Sequence, residues 1–488
     1  METFNPSIAM PYPYACTFTN AITSNHIYPN SASNSPAPTS PWMDSRIWSG
    51  LPQGLMDRIL AFLPPPAFVR ARAVCKRWYA LWFSNSFLQL CLQVCPRRHW
   101  FIFFHHKTPS ASSIVYKHST PNGPSGQTPR AYLFDPDELR WYTIPFPLIP
   151  PGYSSVASSG GLVCWASDEP GPKSLILHNP LVGSVAHLPP TLRPRLFPSV
   201  GLSITGSSID LTLAGDDLIS PYAVKNLTTE SFHVDAGGFY SVWATTSSLP
   251  RLCSMESGQM AHCQGRFYCM NHSPFSVLAC DIASNNWWKI QAPMRRFLRS
   301  PTLVETQGRV LLVAAVEKSK LNVPRSLRLW ALQPCGTQWV EIERMPQQLY
   351  AQFGEVEGGR GFHCVGHGEF IVIMIKGVNN GLMFDIERKR WVWMPCCPND
   401  QGEEGNLHAF PYEPRLATPV ITLVDQLALP FQSFSGFQGL VWRVVMGFTG
   451  HQRIDVKEHE ASLLDGAIGR GHQRQGTDKE NWRSESRG

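Results

Sequence analysis

The side chains able to do chemistry are scattered through this 488-residue chain, and their spacing argues against most reactions. His105 and His106 sit in a strand-like run, WFIFFHH, and read as surface or packing residues. Asp216 and Asp217 are adjacent, so in a strand they point to opposite faces and cannot share a proton. No Gly-rich loop follows a strand and opens a helix to cradle a phosphate. Cys253, Cys263 and Cys269, with His262 and His272 nearby, come nearest to a zinc cluster. They lack paired short-spaced ligands and read as buried thiols. The expectation is therefore no catalytic residue, no metal and no cofactor. The chemically biased stretch is basic: from Lys289 to Arg328 there are nine Lys or Arg against two Glu. Arg295, Arg296 and Arg299 lie in MRRFLRS, and Lys318, Lys320, Arg325 and Arg328 in EKSKLNVPRSLR. Arg388, Lys389 and Arg390 form a third run. Such charge is a solvated loop face or a contact for a phosphate backbone or an acidic partner. Without a reading helix, it suits backbone contact rather than base readout.

The elements that would position these residues follow from composition and pattern. An apolar fraction of 43% suffices for a sizeable core, and the length fits one large domain with smaller pieces. Thirteen cysteines without a repeating frame point to free thiols in a reducing, intracellular compartment. The N-terminus has no charged n-region followed by an apolar h-region, and no run approaches the roughly 20 apolar residues of a membrane span. The net charge of +6 is mild and gains meaning only through its concentration in the basic stretch. Residues 1–44, rich in Ser, Asn, Pro and Thr, are expected to be a disordered tail. Residues 432–488 are uneven in character and are expected to be a poorly structured extension.

Between Leu51 and Trp78 the chain reads LPQGLMDRILAFLPPPAFVRARAVCKRW. Leu55, Ile59, Phe62 and Leu63 recur at helical spacing, and three prolines end that helix. A second short helix starts near Ala67, and a third carries Val74, Trp78, Leu81 and Trp82. Phe87 to Val94 reads as one more helix leading onward, which would hold two domains in fixed orientation. Helices this short cannot bury all their apolar faces against one another, so a partner surface is left over.

From about His99 the texture becomes β-rich, with Gly and Pro punctuation. Trp141, Trp288, Trp339 and Trp391 each follow a hydrophobic strand and a polar turn, the last three 51 and 52 residues apart. Weaker copies around Val185 and Phe232 fill the gap. A period near 50 reads as a kelch-type β-propeller over 96–431, with a β-sandwich or two stacked β-domains as the alternative. Six blades are visible. A seventh would be completed by pairing the first strands with HAFPYEPRL near the C-terminal end.

Two resemblances sharpen this reading. Leu51-Pro52, Ile59-Leu60, Leu63-Pro64 and Val74-Cys75-Lys76-Arg77-Trp78 resemble an F-box, here spanning 45–95. The resemblance implies docking onto a Skp-type adaptor, and through it a cullin, by Leu51, Pro52, Leu55, Ile59, Leu60, Leu63, Val74, Cys75 and Trp78. Further on, HNPLVGSV, RPRLFPSVGLS, DLISPYAVKN and PMRRFLRSP are similar to plant F-box proteins of the unusual floral organs type. That similarity implies a substrate-recognition subunit of a Skp–cullin–F-box ubiquitin ligase, with a floral meristem transcription factor as partner. It also implies action at chromatin in the nucleus, with the cytoplasm as a second location, and no catalysis by the chain itself. The competing expectation is a coregulator that touches DNA through the basic loops without ubiquitination.

Overall fold

The computed structural model describes residues 50–106, 130–145, 149–206, 208–218, 226–235, 242–246, 248–250, 253–272, 274–317, 325–398 and 406–418. The two expected tails fall outside these residues, as do Lys318 and Lys320.

Four helices open the described residues: α1 (Gln53–Phe62), α2 (Pro65–Arg72), α3 (Lys76–Ala80) and α4 (Asn85–Val94), with a 3-10 turn at Leu81–Phe83. Pro65 and Pro66 begin α2, where a missing amide hydrogen costs nothing. The side chain of Ser84 accepts from Phe87 N–H and caps α4. Phe68 stacks between Trp82 at 5.9 Å and Phe87 at 5.3 Å to make the centre of the bundle. Arg72 lies across Trp82 at 4.2 Å, and Asp57 pairs with Arg77.

The strands form six blades. The first holds β1 (Trp100–His106), β2 (Arg130–Asp135) and β3 (Arg140–Pro145). Blade 2 holds β4 (Tyr153–Ser159), β5 (Leu162–Ser167), β7 (Leu175–Asn179) and β8 (Ser184–Leu188). A small ribbon of β6 (Gly171–Pro172) and β9 (Pro194–Arg195) adjoins it. Blade 3 holds β10 (Ser199–Thr205), β11 (Ser208–Asp216), β12 (Leu227–Val234) and β13 (Ala244–Thr245), with β14 (Gly258–Gln259) parallel to β10. Blade 4 is β15 (Ala261–Cys263), β16 (Arg266–Asn271), β17 (Ser276–Asp281) and β18 (Asn286–Gln291). Blade 5 is β19 (Leu298–Thr306), β20 (Arg309–Val316), β21 (Ser326–Leu332) and β22 (Trp339–Arg344). Helix α5 (Gln347–Glu357) leads to blade 6: β23 (Phe362–His367), β24 (Phe370–Ile375), β25 (Gly381–Asp385) and β26 (Arg390–Trp393).

The last strand, β27 (Asn406–Tyr412), pairs antiparallel with β1, Phe103 facing Ala409. The expected pairing of the first strands with HAFPYEPRL therefore exists, but it completes the first blade and adds no seventh. The inner strands of neighbouring blades touch in order right round the ring, so closure leaves no free sheet edge between them.

Turns at Gly160-Gly161, Gly265 and Gly308 lead into the second strand of a blade, and Asp135, Asn179, Asp281 and Asp385 end the third. The repeated tryptophans sit on the fourth strand, except that Phe232 lies on β12. In blade 3 the equivalent aromatic is Trp243, beside β13. Helix α5 was not expected, although Leu349, Phe353 and Val356 stand at helical spacing and Gly358 ends it with φ +55°.

Strand direction alternates within each blade, which sorts the loops onto two faces. Turns between first and second, and third and fourth, strands lie on the face that carries the helices: Val182, in the β7–β8 turn, packs into the helix core. The described connections from second to third strand, and from blade to blade, lie on the opposite face.

Candidate functional site

Two surfaces offer themselves, one on the helices and one on the far loop face. On the helices, α1 has two apolar stripes. Met56, Leu60 and Ala61 point inward to Phe68 and Phe87, leaving Leu60 only 3% exposed. Leu60 thus builds the bundle and cannot meet an adaptor in this fold. The reason is that periodicity marks a stripe as apolar without saying which stripe finds the core. The other stripe remains outside: Leu55 is 46% exposed and Phe62 similarly so.

The remaining expected contacts separate in the same way. Val74 is 66% exposed in the turn before α3. Pro52 is exposed at the start of α1, and Ile59 is half-buried. Leu51, Leu63 and Trp78 are half-buried against the helix core. Cys75 is exposed, and its sulfur accepts the Trp78 N–H at 3.5 Å as the cap of α3. Tyr79 and Phe83, one helical turn apart, are exposed with their rings 6.1 Å apart and were missed by sequence reasoning. Their i, i+4 spacing was the signal. Leu55, Phe62, Val74, Tyr79 and Phe83 are five of the exposed large apolar side chains among the described residues, all within the short helical unit. Exposed apolar surface concentrated in this way marks an interaction site.

The far face carries Arg295, Arg296, Arg299, Arg325 and Arg328 of the basic stretch, but not all of them are available. Arg299 is held by Glu357 at the end of α5 at 2.6 Å and by Glu317. Arg328 is 4% exposed and bonds Ser326 and Glu341. Both belong to the structure of blades 5 and 6, because an unpaired guanidinium could not be buried there. Arg295, Arg296 and Arg325 stay exposed.

Elsewhere on this face, the link from β8 to β10 is pinned by buried charge. Arg195 donates to Gly215 O at 2.8 Å and to Glu230 at 3.0 Å, both side chains fully buried. Glu230 in turn accepts the N–H groups of Leu192 and Arg193. This mount presents Leu192, Leu196 and Phe197 to solvent, and Leu196 and Phe197 stand at the mouth of the central cavity. That cavity, about 1130 Å³, is walled by Ser158, Gln259, His262, Glu305, His363 and His408.

The other chemistry-bearing groups are dispersed. Cys263 donates to Gly308 O and Cys253 to Pro250 O, while burial raises the Cys269 thiol well above its usual range. Among the described residues no set of three His, Cys, Asp or Glu stands close enough to hold a metal ion. Asp216 and Asp217 diverge, Asp217 being fully buried against Arg193 and Asn226.

A helical unit with an uncovered apolar face, mounted on a closed six-bladed ring, defines the class as an F-box protein with a β-propeller. The sequence matches the F-box domain over residues 48–90 and the KIB1-4 beta-propeller over residues 133–353. More narrowly, the chain belongs to the UNUSUAL FLORAL ORGANS family. It is 57% identical over 437 residues to Protein UNUSUAL FLORAL ORGANS of Arabidopsis thaliana, covering 88% of this chain and 97% of that protein. It is 43% identical over 432 residues to Protein ABERRANT PANICLE ORGANIZATION 1 of Oryza sativa subsp. indica, covering 82% and 96%. F-box only protein 6 of Arabidopsis thaliana is 27% identical over 380 residues, covering 74% and 72%.

Proposed function

We propose that this chain is the substrate-recognition subunit of a Skp–cullin–F-box ubiquitin ligase that acts in the nucleus on floral meristem and inflorescence development, with a floral meristem transcription factor as partner. The observation that carries the reading is the set of exposed apolar side chains on the helical unit, Leu55, Phe62, Val74, Tyr79 and Phe83, on the side of the ring away from the loop face. An adaptor seated there leaves the far loops free for a target. Catalysis is then by proximity: the chain raises the effective concentration of the target near the ubiquitin-carrying enzyme and supplies no reacting group. Capture of a purified Skp-type adaptor by the full chain tests it. Binding that Val74→Asp abolishes supports the reading; no binding by the unmodified chain rejects it.

A second reading, contact with a DNA backbone through the far loops, is favoured by the exposure of Arg295, Arg296 and Arg325 away from the helices. The two are compatible in geometry. Deleting residues 45–95 separates them, since a coregulator working through the loops keeps its activity and a ligase subunit does not.

A further inference from the structure

The turn after the third strand opens on an aspartate in blades 1, 4 and 6. Asp135 accepts the N–H of Asp137 at 3.1 Å, Asp281 that of Ser284 at 2.9 Å and Asp385 that of Arg388 at 2.9 Å. Blade 2 has Asn179 in this place. Its Oδ1 does what the aspartates do, accepting from Leu181 N–H at 3.0 Å. Its amide nitrogen also donates to the carbonyl of Arg415 at 3.0 Å, which no carboxylate can do. Asn179 is fully buried, so the bond has no competition from water.

Arg415 belongs to the segment 413–418 that continues from β27, the strand that closes the ring. Leu416 in this segment packs into the helix core together with Val182 from the Asn179 turn. Ala61, Leu63, Cys91 and Leu92 line the crevice beside it. On the propeller side, Gly161 leaves the space the segment needs. It sits at φ +85°, and a Cβ there would come within 2.8 Å of Glu413 O.

We propose that Asn179 and residues 413–418 form a latch through which ring closure also fixes the orientation of the helices on the propeller. Asn179 and Leu416 are then positioning residues for presenting a bound target; that last step alone rests on the ligase reading. The short link from α4 to β1 is one tether and permits a swivel, the default for small units joined by a linker. A second tether, arriving from the opposite end of the propeller sequence, removes it.

Asn179→Asp keeps the turn acceptor and deletes the donor, making blade 2 like blades 1, 4 and 6. Spin labels on the exposed Cys75 and Cys335, in the full chain carrying Cys16→Ser and Cys396→Ser, report the helix-to-propeller distance. The expected result is a narrow distribution in the parent and one about twofold broader in Asn179→Asp and in Leu416→Ala. Asp281→Asn, made in blade 4, should leave the width unchanged. Near-UV circular dichroism confirms that each ring is folded, and Gly161→Ala takes the place of any variant that is not. Unbroadened distributions in folded variants overturn the latch. Adaptor capture is scored in parallel on the unlabelled full chain, because Cys75 is itself an expected adaptor contact: its absence there would reject the ligase reading while the distances still decide the latch.

Discussion

The indole N–H of Trp141 donates to the backbone carbonyl of Pro395 at 2.8 Å, joining the outer strand of blade 1 to the exit of blade 6. The same relationship recurs between Trp243 and Pro189 at 2.8 Å and between Trp339 and Gln291 at 2.9 Å. The repeated tryptophan is thus a clasp between adjacent blades as well as a core residue. Trp141→Phe should retain most of the packing with Phe103 and Phe134 but leave the carbonyl without its donor, costing about 1 kcal/mol. Trp141→Ala should cost about 3–5 kcal/mol. Urea titrations of both variants check the difference.

The two faces of α1 predict opposite phenotypes. Leu60→Ala should lower the stability of the helical unit by about 2–5 kcal/mol through the cavity it leaves among Phe68, Trp82 and Phe87. Leu55→Asp or Val74→Asp should leave folding unchanged and reduce adaptor capture by more than about 2 kcal/mol, as for an interface hot spot. Thermal unfolding and capture, measured on the same preparations, distinguish them. Loss of stability in Val74→Asp would contradict its exposed placement.

Among the basic residues, Arg295→Glu/Arg296→Glu should weaken binding to duplex DNA. The slope of log affinity against log salt should fall by about 0.9 for each phosphate that is no longer neutralised. Arg299→Ala should act on stability instead, by about 3 kcal/mol, because it strands the buried Glu357 carboxylate. Salt-dependent fluorescence anisotropy and a denaturant midpoint separate the two effects. An unchanged salt slope in the double variant would remove Arg295 and Arg296 from any role at a phosphate.

Acid should destabilise the ring. Burial drives His178 down from its ordinary 6.5 to about 4, His363 to about 3 and His367 to about 4. With folded values below the unfolded one, the unfolded chain binds more protons, so this stability is present above pH 6.5 and drains away as pH falls towards 4. Asp135, pushed up to about 6 by burial, works against that trend, because its contribution is lost as pH rises through 6. The three histidines outnumber it. The urea midpoint should drop between pH 7 and pH 5, and His178→Gln should flatten the drop.

Much of this architecture was legible because blades repeat. Local alternation and turns recur in the copies, and three of them carry tryptophans 51 and 52 residues apart, so six blades could be found one at a time. The F-box helices were legible through their prolines and the VCKRW run. Phe232 misled by one strand because β13 is only two residues long and Trp243 precedes it, leaving too little pattern to register.

What the sequence determined by itself was the set of local preferences: helices ended by proline, strands bounded by turns, and a repeat period near 50 that suits propeller blades. Tertiary structure alone decided which stripe of α1 faces Phe68, which arginines are consumed by Glu357 and Glu341, and that β27 completes the first blade. It also decided that Asn179 meets Arg415, 236 residues away. Each of these depends on which partner arrives from a distant part of the chain, and residue type and spacing carry no record of that arrival.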